Sequence, residues 1–221
     1  MNEMIDIFSG TDPADVSTTV QLLLLLTVLS LAPGILILMT SFTRIVIVLS
    51  FVRTSLATQQ MPPNQVLIGL ALFLTFFIMA PTFQEINDEA LQPLFAEEIT
   101  LDEAYDRASA PIKDFMATHT RQQDLQLFMD YSGAEQPETI EGIPLTTLVP
   151  AFAISELKTA FQMGFMIFVP FLIIDMVVAS VLMSMGMMML PPVMISLPFK
   201  ILLFVLVDGW YLITQSLLQG F

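Results

Sequence analysis

The chain has 221 residues, of which 55% are hydrophobic and 13% are charged, and its mean hydropathy is +0.78. Because typical soluble domains carry about twice that charged fraction, the composition favours an integral membrane protein or a subunit buried in an assembly. The net charge of −14 argues against nucleic acid as a partner, and the absence of cysteine excludes disulfides, thiolate metal sites and cysteine nucleophiles.

The chain opens with an acidic N-terminal segment, residues 1–17, which holds four acids and no base. Because this segment lacks the positive region of a secretory signal peptide, we expect internal segments to direct membrane insertion. Two charge-free stretches follow, residues 16–43 and 54–84, and each is long enough to span a bilayer. They predict a first apolar helical hairpin over residues 18–83.

The turn of this hairpin is expected to contain Arg44, Arg53, Pro62 and Pro63. Proline cannot continue a regular helix, so the Pro62–Pro63 pair favours the turn itself. Because acidic segments lie before and after the hairpin, the positive-inside rule puts the two arginines in the cytoplasm and the acidic segments outside. Snorkelling at helix ends explains the two arginines equally well.

The next segment, residues 84–144, is predicted to be an acidic extracytoplasmic helical insert, with fourteen acids and only three bases. Thr100 and Glu103 fit a capping box at a helix N-terminus, and Gly133 follows an apolar run where a helix should end. His119, the single histidine, lacks partners for a triad or a zinc site, so we expect a solvated surface residue.

Apolar sequence then returns and predicts a second apolar helical hairpin over residues 145–221. The Pro191–Pro192 pair favours its turn, and Pro170 predicts a kink in its first helix, as Pro33 does in the first hairpin. Charged residues interrupt the apolar sequence at five positions: Glu156, Lys158, Asp175, Lys200 and Asp208.

Together with the two arginines, these charges number four positive and three negative, so we expect them to pair inside the apolar body. Glu156 and Lys158 lie about 200° apart around a helix, so at least one must reach another helix or another subunit. For Glu156, Asp175 and Lys200, which lie well inside apolar sequence, contacts between subunits are the favoured interpretation. The competing hypothesis is that such charges join the helices of one bundle.

Asp175 and Asp208 allow a different hypothesis, an intramembrane aspartyl protease, because each lies in an apolar segment that would perturb its pKa. Their neighbours, IIDMV and LVDGW, supply no supporting loop chemistry. We therefore expect neither an enzyme nor a bound cofactor.

A methionine-rich loop over residues 183–194 holds six of the sixteen methionines, and the Pro191–Pro192 pair lies within it. Three interpretations stay open. Clustered thioethers can ligate Cu(I), although neither histidine nor cysteine accompanies them here. Methionine also fills irregular helix packing. In the third interpretation, exposed loops from several copies converge and form a deformable seal around a passing chain.

Three apolar stretches carry a family resemblance: SFTRIVIVLSFVRTSLATQQMPPNQVLIGLALFLTFFIMAPTF, FAISELKTAFQMGFMIFVPFLIIDMVVASVLMSMGMMMLPP and ISLPFKILLFVLVDGW. They resemble the flagellar FliP family, whose members are subunits of the type III secretion export gate. The FTRI motif at residues 42–45 favours the flagellar branch over the injectisome branch. A start without a signal peptide fits Gram-positive members.

The resemblance implies an all-α integral membrane export-gate protein, built of two long kinked helical hairpins with an acidic helical insert. It implies a pentamer in the bacterial cell membrane, at the flagellar basal body, joined by FliQ-like and FliR-like subunits. FlhB-like and FlhA-like export proteins would be further partners, and unfolded flagellar proteins would pass through the centre.

The same resemblance implies the residues that perform these roles. It assigns the pore gate to three methionines: Met187, Met188 and Met189. It associates three charged positions with subunit contacts: Glu156, Asp175 and Lys200. The alternative function is a small-solute or Cu(I) membrane channel or transporter.

Overall fold

The computed structural model describes residues 13–58, 60–133, 139–140, 142–187 and 189–221, with side chains throughout except at residues 13–22, 24, 25 and 28. The described residues form α-helices and no strand, so the predicted all-α fold is confirmed. The helices are α1 Pro13–Met39, α2 Phe42–Ser55, α3 Asn64–Ile86, α4 Gln92–Phe95, α5 Leu101–His119, α6 Gln122–Ser132, α7 Leu145–Ser184, α8 Pro192–Leu206 and α9 Gly209–Gln219, with a π-helical turn at Asn87–Leu91.

Contacts divide the chain between Ile37 and Leu38. The first unit contains most of α1, and four of its described leucines are exposed: Leu23, Leu26, Leu29 and Leu31. The helix continues through Pro33, where the sequence predicts a kink. Leu38–Phe221 form the second unit, which contains all of the remaining helices.

Helix α2 lies at the centre of the second unit. Ile45, Val48, Leu49 and Val52 follow the i, i+3, i+4, i+7 spacing of one helix face, and all four are fully buried. The expectation that Arg44 belongs to a turn is therefore wrong, because it is buried in the first turn of this helix. Arg53 also lies within the helix, in its last turn, but its side chain reaches the turn that follows. The prediction used the positive-inside rule, which places arginine in aqueous turns at the membrane surface. An arginine that is paired with a carboxylate can instead be buried in a protein core.

The apolar stretch 16–43 is also broken earlier than predicted, at Thr40–Ser41. The hydroxyl oxygen of Thr40 accepts a hydrogen bond from the backbone N–H of Phe42 at 3.3 Å. Such a local side-chain acceptor competes with the helical hydrogen bond of that N–H, which favours a new helix start here.

The predicted Pro62–Pro63 turn is confirmed, because α3 begins directly after it, at Asn64. Arg53 in the last turn of α2 donates hydrogen bonds to the carbonyl oxygen of Pro62, at 3.4 Å, and to the side-chain oxygen of Asn64. Thr58 donates to the carbonyl oxygen of Met61 at 2.6 Å. These bonds satisfy polar groups that the turn leaves without helical partners.

The insert consists of short helices, two of whose predicted ends are confirmed. Thr100 and Glu103 form a complete capping box at the start of α5, and Gly133 ends α6 in the left-handed conformation, with φ of 65°. Met116 of α5 packs in a core with Leu148 and Phe152 of α7. The insert is therefore docked on the beginning of α7.

Helix α7 is 40 residues long, or about 60 Å, which is twice the thickness of a bilayer core. Within the described residues, Leu145–Ser184 and Asn64–Phe95 are each long and apolar enough to cross a membrane. Two helix pairs pass the same test jointly: Leu29–Met39 with Phe42–Ser55, and Pro192–Leu206 with Gly209–Gln219. The predicted turn at Pro191–Pro192 is confirmed, since α8 begins at Pro192.

Candidate functional site: two buried ion pairs and a methionine loop

The first buried ion pair joins Arg44 of α2 to Glu156 of α7, whose side chains are only 4% and 0% exposed. The pair is bidentate. Nε of Arg44 donates to Oε2 of Glu156 at 2.8 Å, and Nη2 donates to Oε1. The parallel N–H groups of the guanidinium match the two carboxylate oxygens, so the contact fixes the relative position of the two helices.

The end of α9 covers this pair. The third donor of Arg44, Nη1, bonds the carbonyl oxygen of Gly220 at 2.6 Å. The ring of Phe221 lies 3.7 Å from the guanidinium carbon, in the geometry of a cation–π contact. Phe221 also stacks on Phe115 of α5, with ring centroids 6.0 Å apart. One arginine thus connects α2, α7, α9 and, through an aromatic ring, the insert.

The second buried ion pair joins Lys200 of α8 to Asp175 of α7 at 2.6 Å. Lys200 is 2% exposed, and its ammonium also donates to the carbonyl oxygen of Ser55 at 3.1 Å. Ser55 is the last residue of α2, so the cation lies at the negative end of that helix dipole. The buried hydroxyl of Ser196 donates to the other oxygen of Asp175.

The expected pairing of charges inside the apolar body is therefore found for two acids and two bases. Glu156 reaches another helix, while Lys158, two residues on, is exposed on a different face of α7. All three residues predicted at subunit contacts have partners within their own chain: Glu156, Asp175 and Lys200. A contact between subunits at these residues stays a prediction. A residue of a neighbouring subunit would have to bind to an ion pair that is already formed within the chain.

Beside the first ion pair lies a polar contact that sequence reasoning missed. Ser155 of α7 donates to Asp124 of α6 at 2.6 Å and accepts from the backbone N–H of Arg121 at 3.1 Å. Arg121 pairs with the same carboxylate. This contact attaches the insert to α7. In the sequence, only the small polar Ser155 beside Glu156 points to it.

The structure corrects the expectation for His119, which is partly buried. Its ring packs against Phe115 and Phe221, with centroids 4.7 and 5.2 Å away. Its Nδ1 lies 2.7 Å from the carbonyl oxygen of Phe115, within hydrogen-bond distance of that acceptor. The acidic composition of the insert gave no sign of this aromatic cluster.

The structure gives no support to an aspartyl dyad of Asp175 and Asp208. Both oxygens of Asp175 are occupied, by Lys200 and by Ser196, whereas Asp208 is exposed just before α9. In the part of the chain that the structure describes, no three His, Asp or Glu side chains converge as metal ligands.

The methionine loop, residues 183–194, joins α7 to α8 and includes the last two residues of α7 and the first three of α8. A Schellman motif ends α7 within it. Gly186, at φ of 75°, donates to the carbonyl oxygen of Met183 at 3.0 Å, and Met187 donates to that of Leu182 at 3.0 Å. Among the predicted gate residues, Met189 is 98% exposed and Met187 is 36% exposed, and Met188 lies outside the described residues.

These features define a class: an all-helical protein with helices able to span a membrane, held together by buried ion pairs and ending one hairpin in exposed methionines. Comparisons with known proteins identify the family. The model of the FliP family matches residues 25–217, and the chain belongs to that family.

Relatives support this assignment. The chain is 80% identical to the flagellar biosynthetic protein FliP of Bacillus subtilis over 100% of each chain. It is 54% identical to the Caulobacter vibrioides protein of the same name, over 98% of this chain and 82% of the relative. It is 53% identical to that of Aquifex aeolicus, over 92% and 86%. The predicted family resemblance is confirmed.

Proposed function

We propose that the chain is a pore-forming subunit of the flagellar type III export gate, through which unfolded flagellar proteins leave the cell. It is a membrane-associated component of flagellar biosynthesis, in keeping with the names of its relatives. In this proposal five copies surround one passage. FliQ-like, FliR-like, FlhB-like and FlhA-like proteins complete the apparatus.

The observation that carries this proposal is the exposure of the methionine loop. Met183 and Met185 are each 66% exposed and Met189 is 98% exposed, and an uncovered apolar loop is unfavourable in water. Loops from neighbouring copies would cover one another around a central axis. Because methionine is unbranched and flexible, such a ring could close when empty and repack around a passing polypeptide.

The second ion pair supports the loop. Asp175 lies nine residues before the end of α7, or about 14 Å from it. Its contacts with Lys200 and Ser196 hold α7 against α8 on the loop side of the hairpin, and Lys200 also holds the end of α2. The flexible seal would thus be carried on a rigid base, so that the loop can deform without separating the helices.

The proposal also gives the side of the membrane on which the insert lies and the segments that build the gate. The insert, residues 84–144, faces the exterior, and the hairpins over residues 18–83 and 145–221 build the gate body. The flagellar names of the relatives favour this function over a Cu(I) channel.

The test shortens the three gate methionines, Met187, Met188 and Met189, to alanine in cells that carry the complete export apparatus. We expect a leak of small ions across the closed gate, because alanine leaves the passage unfilled, while native mass spectrometry finds the assembly intact. The matched control changes three exposed apolar residues elsewhere to alanine: Met61, Phe73 and Met176. Ion conductance that is the same in both triple variants would contradict the seal. Cu(I) binding that is lost in the gate variant without any leak would favour the channel alternative.

A further inference from the structure

A large apolar groove runs along α7, outside the ion pairs and the methionine loop. Its volume is about 650 Å³, which is within the range of small-molecule sites. Side chains of α7, α8 and α9 line it, and all of them are apolar except two, Gln162 and Ser216. The lining includes Met166, Ile167, Pro170, Phe204, Val207 and Leu212.

The polar groups of the groove are at one end. One i, i+4 ridge of α7 consists of Lys158, Gln162, Met166 and Pro170. Along this ridge the side chains change from charged to polar and then to apolar. On the opposite wall, Ser216 belongs to the end of α9 that is fixed to Arg44 through Gly220. Since Arg44 also binds Glu156, the Gln162 and Ser216 ends lie on the same side of the groove.

The charges near the groove have opposite signs at its two ends. Lys158, one helical turn beyond Gln162, is exposed, and no carboxylate among the described residues pairs with it. The acid two residues away, Glu156, is already bound by Arg44. At the far end the exposed Asp208 lies between the lining residues Val207 and Gly209. A bound anion would therefore be attracted to the lysine end and repelled from the other.

We propose that this groove binds an anionic phospholipid, with its phosphate paired to Lys158 and an acyl chain along Met166, Pro170 and Phe204. From one end to the other, the groove presents a cation at Lys158, the polar residues Gln162 and Ser216, and then apolar side chains. This order matches an amphiphile that has one charged head group and an apolar tail. The walls belong to helices that can span a membrane, alone or as a pair, so lipid would have access to the groove. The inference does not depend on the proposed gate.

The test uses the full chain in detergent and native mass spectrometry, with phosphatidylglycerol and phosphatidylcholine of identical acyl chains as probes. We expect the wild type to retain phosphatidylglycerol about fivefold more than phosphatidylcholine, the effect of one basic residue near an anionic lipid surface. Lys158→Gln should abolish that preference. Arg107→Gln, which removes an exposed positive charge from the insert, should leave it unchanged.

A second pair of variants tests the groove itself. Leu212→Trp fills it and should reduce the adducts of both lipids, as should Met166→Trp from the opposite wall if the first variant folds poorly. Met176→Trp, at an exposed residue of α7 outside the groove, should not. Equal binding of the two lipids by the wild type would overturn the proposal. So would a groove-filling variant that leaves lipid adducts unchanged and lowers the number of associated subunits, because the groove would then hold a second copy.

Discussion

Removing Arg44 tests whether one buried ion pair organises the core. Arg44→Met keeps an unbranched apolar stem but removes the guanidinium, and so leaves the carboxylate of Glu156, which is 0% exposed, without its cation. The variant also loses the bond to the carbonyl oxygen of Gly220 and the contact with Phe221. The variant therefore loses contacts that join α2 to both α7 and the end of α9.

The expected cost is large because the remaining charge has no access to water. Breaking a buried pair by removing one partner costs about 3–5 kcal/mol. Replacing both partners by apolar side chains of similar volume is often neutral, so Arg44→Met with Glu156→Met should recover most of the loss. Among the bonds of Arg44, those to Gly220 and Phe221 would stay lost in the double variant.

The chain supplies its own probe of unfolding. Trp210 is the single tryptophan, and its ring packs edge-on against Phe204, with centroids 5.4 Å apart. It lies in α9, whose end contacts Arg44. Reversible denaturation in detergent, followed by tryptophan fluorescence, therefore gives the free energy of unfolding for each variant.

The control is Arg107→Met, because Arg107 is exposed in the insert and its loss should change stability by no more than about 0.5 kcal/mol. Equal unfolding free energies for Arg44→Met and Arg107→Met would refute the reasoning. A double variant whose loss equals the sum of the single losses would refute it too, because the two side chains would then not be coupled.

Two further predictions concern single side chains. Gly164→Ala would place a Cβ 2.4 Å from Cδ2 and 3.0 Å from Cβ of Phe51, so the Phe51 side chain or the helices themselves must shift, and we expect a loss of about 1–3 kcal/mol in the same denaturation assay. The control Gly69→Ala, with no atom within 4 Å of the new Cβ, should instead stabilise α3 by roughly 0.5–1 kcal/mol. Thr100→Ala removes the capping-box acceptor of Glu103 and should cost about 1 kcal/mol, measured as faster amide exchange in the first turn of α5; unchanged exchange there would contradict this.

Local features of the fold could be predicted from the sequence because they depend on few residues. A proline pair ends a helix wherever it lies, so the turns at Pro62–Pro63 and Pro191–Pro192 were correctly placed. The capping box at Thr100 and the left-handed Gly133 also follow from backbone geometry alone. The need for buried charges to pair likewise follows from their desolvation cost.

The identity of the partners could not be predicted, because it depends on contacts between distant parts of the chain. Arg44 and Glu156 are 112 residues apart, and Lys200 and Ser55 are 145 apart. No residue pattern distinguishes a partner in the same chain from one in a neighbouring subunit. Burial of α2 was missed for the same reason, since its arginines suggested an aqueous turn until their partners were known.

The two ion pairs hold opposite ends of one helix. Arg44 lies in the first turn of α2, and Lys200 binds the carbonyl oxygen of Ser55, its last residue. Apart from the close contact of Phe51 with Gly164, the apolar face of α2, with residues such as Ile45 and Val52, resists a shift along α7 less sharply than a directional contact does, because swaps among apolar side chains of similar volume cost little. A bidentate arginine–glutamate contact does not tolerate that shift. We infer that these charges select the register of α2 more than they add stability, and that the register in turn fixes the helices that carry the methionine loop.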